Sequence, residues 1–350
     1  MSAYTLPRHL GLLALGVLAV LATSYLLEPY RLFQAATVAA FLCATAGLTI
    51  LTGLSGQLSL GHGALMAVGA YSLALSQRAL AERGLTGGGA LPISLLVAVL
   101  VTTALGAVIG VAAARIRGPY LAGVTLTVAI AVPALTVTFS GVFNGEQGLA
   151  VPLAPPPAVL GPYFPYERWQ LWLAAAVTLL ALLLLTNLVQ SRYGRLLRAV
   201  RDDEVAAGLA GLPVAGIRVL AFVVSAAAAG LGGALLALLT QNVSPGAFSL
   251  ALSLSLLTAV VVGGLGRLAG AAWGALLLVA LPELTHSLAE ALPLTPALAH
   301  RMEGNLPLAI FGLTLVLVVI VAPGGVQGHL SRLAHAAWTR LPHRAAPPTT

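Results

Sequence analysis

The chain has 350 residues, of which 59% are hydrophobic and only 8% charged, with a formal net charge of +7. A typical soluble domain carries about 25% charged residues, so a water-facing surface for the two domains this length could hold cannot be assembled here. A nucleic-acid binder is excluded on the same ground, since its basic face needs a soluble domain to carry it.

Every one of the 17 basic residues is arginine. Without lysine there is no GK[ST] phosphate loop, and ATP hydrolysis by this polypeptide is not expected. The single cysteine, Cys43, excludes an internal disulfide and reads as a small hydrophobe inside a helix.

A helix crossing about 30 Å of hydrocarbon needs roughly 20 apolar residues. Backbone polar groups have no water partner in lipid, so such stretches read as helices. A membrane β-barrel would instead alternate over about ten residues, and Trp172 to Val189 does not. In chain order the predicted spans are 10–27, 32–52, 58–77, 91–114, 119–139, 170–190, 217–240, 250–265, 268–284 and 305–322. The expected fold is an all-α integral membrane protein of about ten transmembrane helices, with a transmembrane domain over 1–325. A cytoplasmic tail follows over 326–350, expected to be disordered past Pro342. Arg8 and His9 precede the first span as in a signal peptide. Ala22-Thr23-Ser24 is a weak cleavage site, however, and a retained helix is expected.

The arginines set the orientation. With both termini cytoplasmic, Arg31, Arg78, Arg83, Arg168 and Arg301 fall outside, and the other twelve of the 17 fall inside, as the positive-inside rule requires. This holds only if Leu250 to Glu283 is broken at Gly263-Gly264-Leu265-Gly266-Arg267 into two spans. Between the fifth and sixth spans, Ser140 to Arg168 reads as an outer loop. Pro155-Pro156-Pro157 bars a regular helix there, and Tyr163, Phe164, Tyr166, Trp169 and Trp172 are placed for the headgroup level. Small residues at spacing four (Gly106 with Gly110, Gly266 with Gly270, Gly270 with Gly274) read as helix-packing contacts.

No catalytic set is present: the seven histidines form no metal-ligand spacing, and no GxSxG elbow occurs. Neither a metal nor a cofactor is expected, and the chain reads as a non-enzyme. The acidic residues lie almost entirely in loops. The intramembrane carboxylates of a proton-coupled carrier are therefore missing, and an external energy source is inferred.

Two segments carry chemistry. Gly53 to Tyr71, GLSGQLSLGHGALMAVGAY, interrupts an apolar stretch with five glycines, two serines, Gln57 and His62. Broken helices with polar groups at membrane depth are tolerated where they line a cavity, which makes Gln57, Ser59 and His62 candidate pathway contacts. A glycine-rich helix start, with its polar groups bonded to nearby backbone, explains the same pattern. Asn144, Glu146, Gln241, Asn242 and Ser244 fall at helix ends on the outer side and form a second candidate set. The loop Ser191 to Gly216, SRYGRLLRAVRDDEVAAGLAGLPVAG, repeats arginine every three residues and then turns acidic. Tyr193, Leu196, Leu197 and Val200 share an apolar stripe on a short amphipathic helix, suited to a soluble partner or to the bilayer surface.

These two segments, with SPGAFSLALSLSLLTAVVVGGLGRLAGAAWGA further on, resemble the permease subunits of bacterial branched-chain amino-acid ABC importers, specifically the M-type subunit. The resemblance runs from about Leu48 to Pro282. It implies a second homologous permease subunit, two ATP-binding subunits that hold the ATP, and a periplasmic or extracellular substrate-binding protein, all at the plasma membrane of a bacterium or archaeon. It further implies that Arg198, Arg201, Asp203, Glu204, Ala207 and Gly211 form a coupling segment on the ATP-binding subunit, with Leu196, Leu197 and Val200 filling its groove. Where the family carries a glycine pair after its fifth span, this chain reads Asn144-Gly145-Glu146-Gln147-Gly148. That difference keeps a urea or short-amide importer open beside the amino-acid one. An ion- or proton-coupled carrier working alone is the rival from another class.

Overall fold

A computed structural model describes residues 5–85, 87–116, 120–161 and 163–291, together with 310, 312–313, 317, 325–329 and 332. The expected tenth span and the tail lie almost wholly outside the described residues.

The described chain is nearly all helix. The long helices are α1 (Thr5–Leu26), α2 (Pro29–Leu48), α3 (His62–Glu82), α4 (Ala90–Arg115), α5 (Tyr120–Thr138), α7 (Tyr166–Gln190), α10 (Val214–Thr240), α11 (Leu250–Gly263) and α12 (Leu268–Ala291). Short ones fill the connections: α6 (Ser140–Phe143), α8 (Arg192–Asp202) and α9 (Glu204–Leu209). Two short strands, β1 (Leu149–Ala150) and β2 (Asn242–Val243), pair antiparallel at the end of the bundle opposite α8 and α9.

Six stretches among the described residues are long and apolar enough to cross a membrane: Pro29–Leu54, Gly87–Arg115, Tyr120–Thr138, Tyr166–Gln190, Val214–Thr240 and Pro245–Gly263. α1 and α12 contribute shorter apolar runs, Leu13–Leu26 and Leu268–Leu284. α3 is not in the set, because His62, Ser72, Ser76, Gln77 and Arg78 lower its hydropathy. It is instead an interior helix, buried along much of its length. A helix walled by protein need not be as apolar as one bathed in lipid, so uniform apolar spans are the wrong expectation for the centre of a bundle.

α10 is that centre, packed along α2, α3 and α4. Its core, Ser225 to Leu239, is almost all alanine, glycine and leucine, which lets neighbouring backbones approach closely. Gly233 sits against the backbone of Met66, and Gly69 of α3 against the backbone of Gly230, with no room for a Cβ at either contact. Burial divides accordingly: 61% of the apolar window of α2 and of α10 is enclosed, against 28% for α4 and α7 and 22% for α5. The outer helices turn Leu96, Leu100, Val108, Ile130, Leu180 and Leu184 outward, as helices facing hydrocarbon do.

Boundaries depart from expectation most at the second and third spans. α2 passes directly into a π-helical turn, Thr49–Leu54, and the chain then runs non-helically to Gly61. Leu58 to Gly61 therefore lie outside any helix, and the third helix begins at His62 rather than at 58. The expected break after Gly263 is present, with Gly264 (φ 120°) and Gly266 (φ 79°) turning the chain between α11 and α12. Gly270 and Gly274 then face Gly263 and Ala259 across that hairpin, while Gly106 and Gly110 pack on Ala226 and Phe222 of α10.

The Ser140 to Arg168 connection holds more structure than a proline-rich loop predicts, namely α6, β1 and two 3-10 turns. Trp169 Nε1 donates to Ala154 O at 3.0 Å, tying it to the start of α7. Phe164 and Trp172 stack at 5.0 Å, and Arg168 lies 4.5 Å over the Tyr25 ring.

Replacing Gly233 by Val places branched carbons against the Met66 backbone. Overpacking of a close contact costs about 1–3 kcal/mol. The expected outcome is a clearly lowered Tm for detergent-solubilised protein, with Gly246→Ala, at an open position, as the silent control.

Candidate functional site

The site begins with the interruption between α2 and α3. The π-helical turn displaces the hydrogen-bond ladder. Ser55 N returns to Ile50 O at 3.1 Å and Gln57 N to Leu51 O at 3.1 Å, while Gly56 takes a left-handed conformation (φ 71°). Such turns occur frequently at functional positions. Side chains from distant helices satisfy the backbone that follows: Thr125 Oγ1 of α5 accepts from Leu60 N at 2.9 Å, and Ser253 Oγ of α11 accepts from Gly63 N at 3.0 Å.

His62, at the first position of α3, is fully buried. Ser225 Oγ of α10 lies 2.8 Å from its Nε2 and donates to Gly47 O at 2.8 Å. Since the serine proton is committed to Gly47, Ser225 accepts from His62, which puts the imidazole proton on Nε2. Nδ1 is then an acceptor, with Ser59 Oγ at 3.4 Å, the limit of hydrogen bonding. Gln57 donates through Nε2 to Ser55 Oγ at 2.6 Å and to Arg218 O at 3.3 Å, while its Oε1 is buried without a partner. Ser59 and His62 thus come together in one bonded group that joins α3 to α2 and α10, while Gln57 is held separately by Ser55 and by Arg218 O, about two turns nearer the start of α10.

Asn144, Gln241 and Asn242 are brought together elsewhere, at the β1–β2 end. From Ser225 to Gln241 is about 24 Å along α10 at 1.5 Å per residue. Asn144 and Gln241 are helix-terminating residues in the left-handed region (φ 62° and 57°). Asn144 Nδ2 donates to Gly148 O at 2.8 Å, Gln241 Nε2 to the Tyr166 hydroxyl at 3.2 Å, and Asn242 pairs in the ribbon with Ala150. Glu146 is exposed beside them. The two sets lie apart along the bundle rather than in one cluster.

Ser191 to Gly216 folds into α8 and α9, a helical pair at the other end of α10. Ser191 Oγ caps α8 by accepting from Tyr193 N, and Asp203 Oδ1 caps α9 by accepting from Val205 N and Ala206 N at 2.9 Å each. Arg198 donates to Gly194 O of its own helix and to Val189 O in the last turn of α7, at 3.0 Å each, which places a cation at the C-terminal end of α7. Glu204 pairs with Arg218 of α10 at 2.7 Å, and Arg201 Nη1 donates to Gly53 O at 2.7 Å.

This corrects one sequence expectation. Leu197 and Val200 face the protein's own core, as do Gly194 and Ala207, so they are not available to fill a partner's groove. The stripe of an amphipathic helix marks the face that is buried, not what buries it. The most exposed large apolar residues of the pair are Val205 and Leu209 of α9, at 71% and 86% accessibility. A six-residue helix shows no periodicity, so the sequence carries no signal for them. Ser225 was legible, as the only polar side chain in an alanine- and glycine-rich stretch. Thr125 and Ser253 were not, because serine and threonine inside apolar spans usually bond to their own helix.

Apolar helices packed around an interrupted, polar-bonded segment define a multi-pass membrane protein. The family described as the branched-chain amino acid transport system / permease component matches residues 30–320, and the chain belongs to it. It is 32% identical to the high-affinity branched-chain amino acid transport system permease protein LivM of Salmonella typhimurium, over 82% of this chain and 70% of LivM. LivH of Escherichia coli is 29% identical over 81% of this chain and 89% of its own length. BraD of Pseudomonas aeruginosa is 28% identical over 66% and 77% respectively. No solved structure matches the chain.

Ser225→Ala strands the His62 Nε2 proton and removes the side-chain donor to the Gly47 carbonyl. A buried unsatisfied group costs about 1–3 kcal/mol, so the variant should unfold at lower temperature in detergent. A Tm equal to that of the wild type would show that this network does not hold the break.

Proposed function

We propose that the chain is a permease subunit of an ATP-binding-cassette importer for branched-chain or related amino acids, in the plasma membrane of a bacterium or archaeon. It would cross the membrane about ten times with both termini cytoplasmic. It would act beside a second homologous permease, two ATP-binding subunits and an external substrate-binding protein. The translocation path runs along α10, with Gln57, Ser59 and His62 toward the cytoplasmic end and Asn144, Gln241 and Asn242 at the outer mouth. No catalytic group, metal or cofactor is assigned to this chain; ATP is bound by the partner.

The observation that carries this reading is the α8–α9 pair. Arg198, Arg201 and Glu204 are used internally to fasten it to α7, the π-helical turn and α10. Val205 and Leu209 meanwhile project from a firmly held platform. An exposed apolar tip on a rigid, charge-rimmed support suits insertion into a soluble partner, since the apolar side chains supply affinity and the charges orientation. An energy source outside the chain also agrees with the buried polar set, which among the described residues contains no aspartate or glutamate.

Val205→Asp combined with Leu209→Asp should abolish ATP-driven uptake and co-purification of the ATP-binding subunit, while the permease stays inserted and monodisperse. Uptake at the wild-type level would sink the assignment of this tip. Glu204→Arg should likewise stop uptake, and adding Arg218→Glu should restore part of it by reversing the pair. Binding of leucine, isoleucine, valine and urea to the cognate external protein then decides the substrate.

A further inference from the structure

Arg201 closes α8, yet it does not point toward a partner. Its Nη1 donates to Gly53 O at 2.7 Å, while Nε and Nη2 both bond Asp202 Oδ1, at 2.9 and 2.7 Å. The accepting carbonyl belongs to the π-helical turn, where the following amides of Ser55 and Gln57 return to Ile50 and Leu51 instead. A helix end leaves its last carbonyls without internal donors, and a guanidinium supplies both a charge-assisted bond and the favourable sign of charge there.

The surrounding backbone is shaped to this side chain. A Cβ at Gly56 would stand 2.8 Å from Arg201 Cγ, so the arginine stem occupies the space that the missing side chain leaves. The same point meets a third element. Gly53 lies against the backbone of Gly266 in the α11–α12 turn, with no room for a Cβ between them, and a Cβ on Gly266 would stand 3.9 Å from Arg201 Nη1. The near end of α8 is fixed to α7 by Arg198. Its far end is therefore bonded by one guanidinium to the π-helical turn, which itself lies against the α11–α12 turn.

We infer that Arg201 is a positioning residue: the strut through which displacement of α8 and α9 moves the π-helical turn and the α11–α12 turn, and with them the Gln57–His62 segment. This rests on the functional reading above and makes it specific. The tip of α9 receives the partner's motion, and the Arg201–Gly53 bond delivers it to the path. Losing the strut disconnects the two without touching the docking face.

The test uses the complete complex in proteoliposomes, measuring substrate uptake and ATP hydrolysis together for Arg201→Ala and Arg201→Lys. For Arg201→Ala, hydrolysis and complex assembly stay near wild type while uptake per ATP falls about tenfold, within the span of measured coupling between sites. Arg201→Lys, which keeps a cation able to reach the carbonyl but loses the planar fork, recovers part of the ratio. An unchanged ratio in Arg201→Ala overturns the inference. So does a parallel fall in uptake and hydrolysis, which would assign Arg201 to partner docking. Loss of assembled protein in both variants overturns it in favour of plain packing. A wild-type complex with no ATP-driven uptake overturns the importer reading itself, and is seen before any variant is made.

Discussion

A bilayer offers no water to a broken helix, and the interruption between Gly53 and Gly61 therefore has to be satisfied by protein groups. Most of the described architecture follows from that requirement. Thr125, Ser225, Ser253 and Arg201 arrive from four different helices to bond the backbone or the side chains around the break. Each can do so only because its own helix is held in register against α3 or α10. The break is thus a consequence of the bundle as well as a feature within it: removed from these neighbours, its free carbonyls and amides would be too unfavourable to keep in lipid.

Close packing supplies the register. Helices in lipid gain little from hydrophobic burial against one another, so association depends on van der Waals contact and interhelical hydrogen bonds. α10 meets both needs with glycine and alanine at its contacts and a single serine near the break. The outer helices carry the bulky Leu and Val side chains outward, which leaves a small-residue interior and a large-residue exterior. Polar groups inside such an interior bond across short distances, and the 2.8 Å contacts of Ser225 with His62 and Gly47 are of this kind.

The α8–α9 module extends the same logic beyond the apolar bundle. Its charges are mostly spent inward, on carbonyls at the ends of α7 and the π-helical turn and on the Glu204–Arg218 pair. This gives a short solvent-side element a fixed geometry that a chain of this length would not otherwise hold. The named relatives of the chain are permease proteins of branched-chain amino acid transport systems, and here the element outside the apolar bundle is bonded directly to the interior break.

Composition and spacing by themselves determined the membrane class, most helix positions among the described residues to within a few residues, and the split after Gly263. These depend on local properties: hydrophobic length, the absence of lysine, glycine where a turn needs it. The tertiary structure alone decided which side of each polar segment faces inward. It separated Gln57, Ser59 and His62 from Asn144, Gln241 and Asn242 by most of the length of α10. It also turned Leu197, Val200 and Ala207 toward the core and left Val205 and Leu209 outside. Above all it joined Arg201 to Gly53, residues 148 positions apart. An arginine every third residue announces a helical face, but the carbonyl it will bond is set by how α2, α10 and α11 pack around it, and no local pattern contains that.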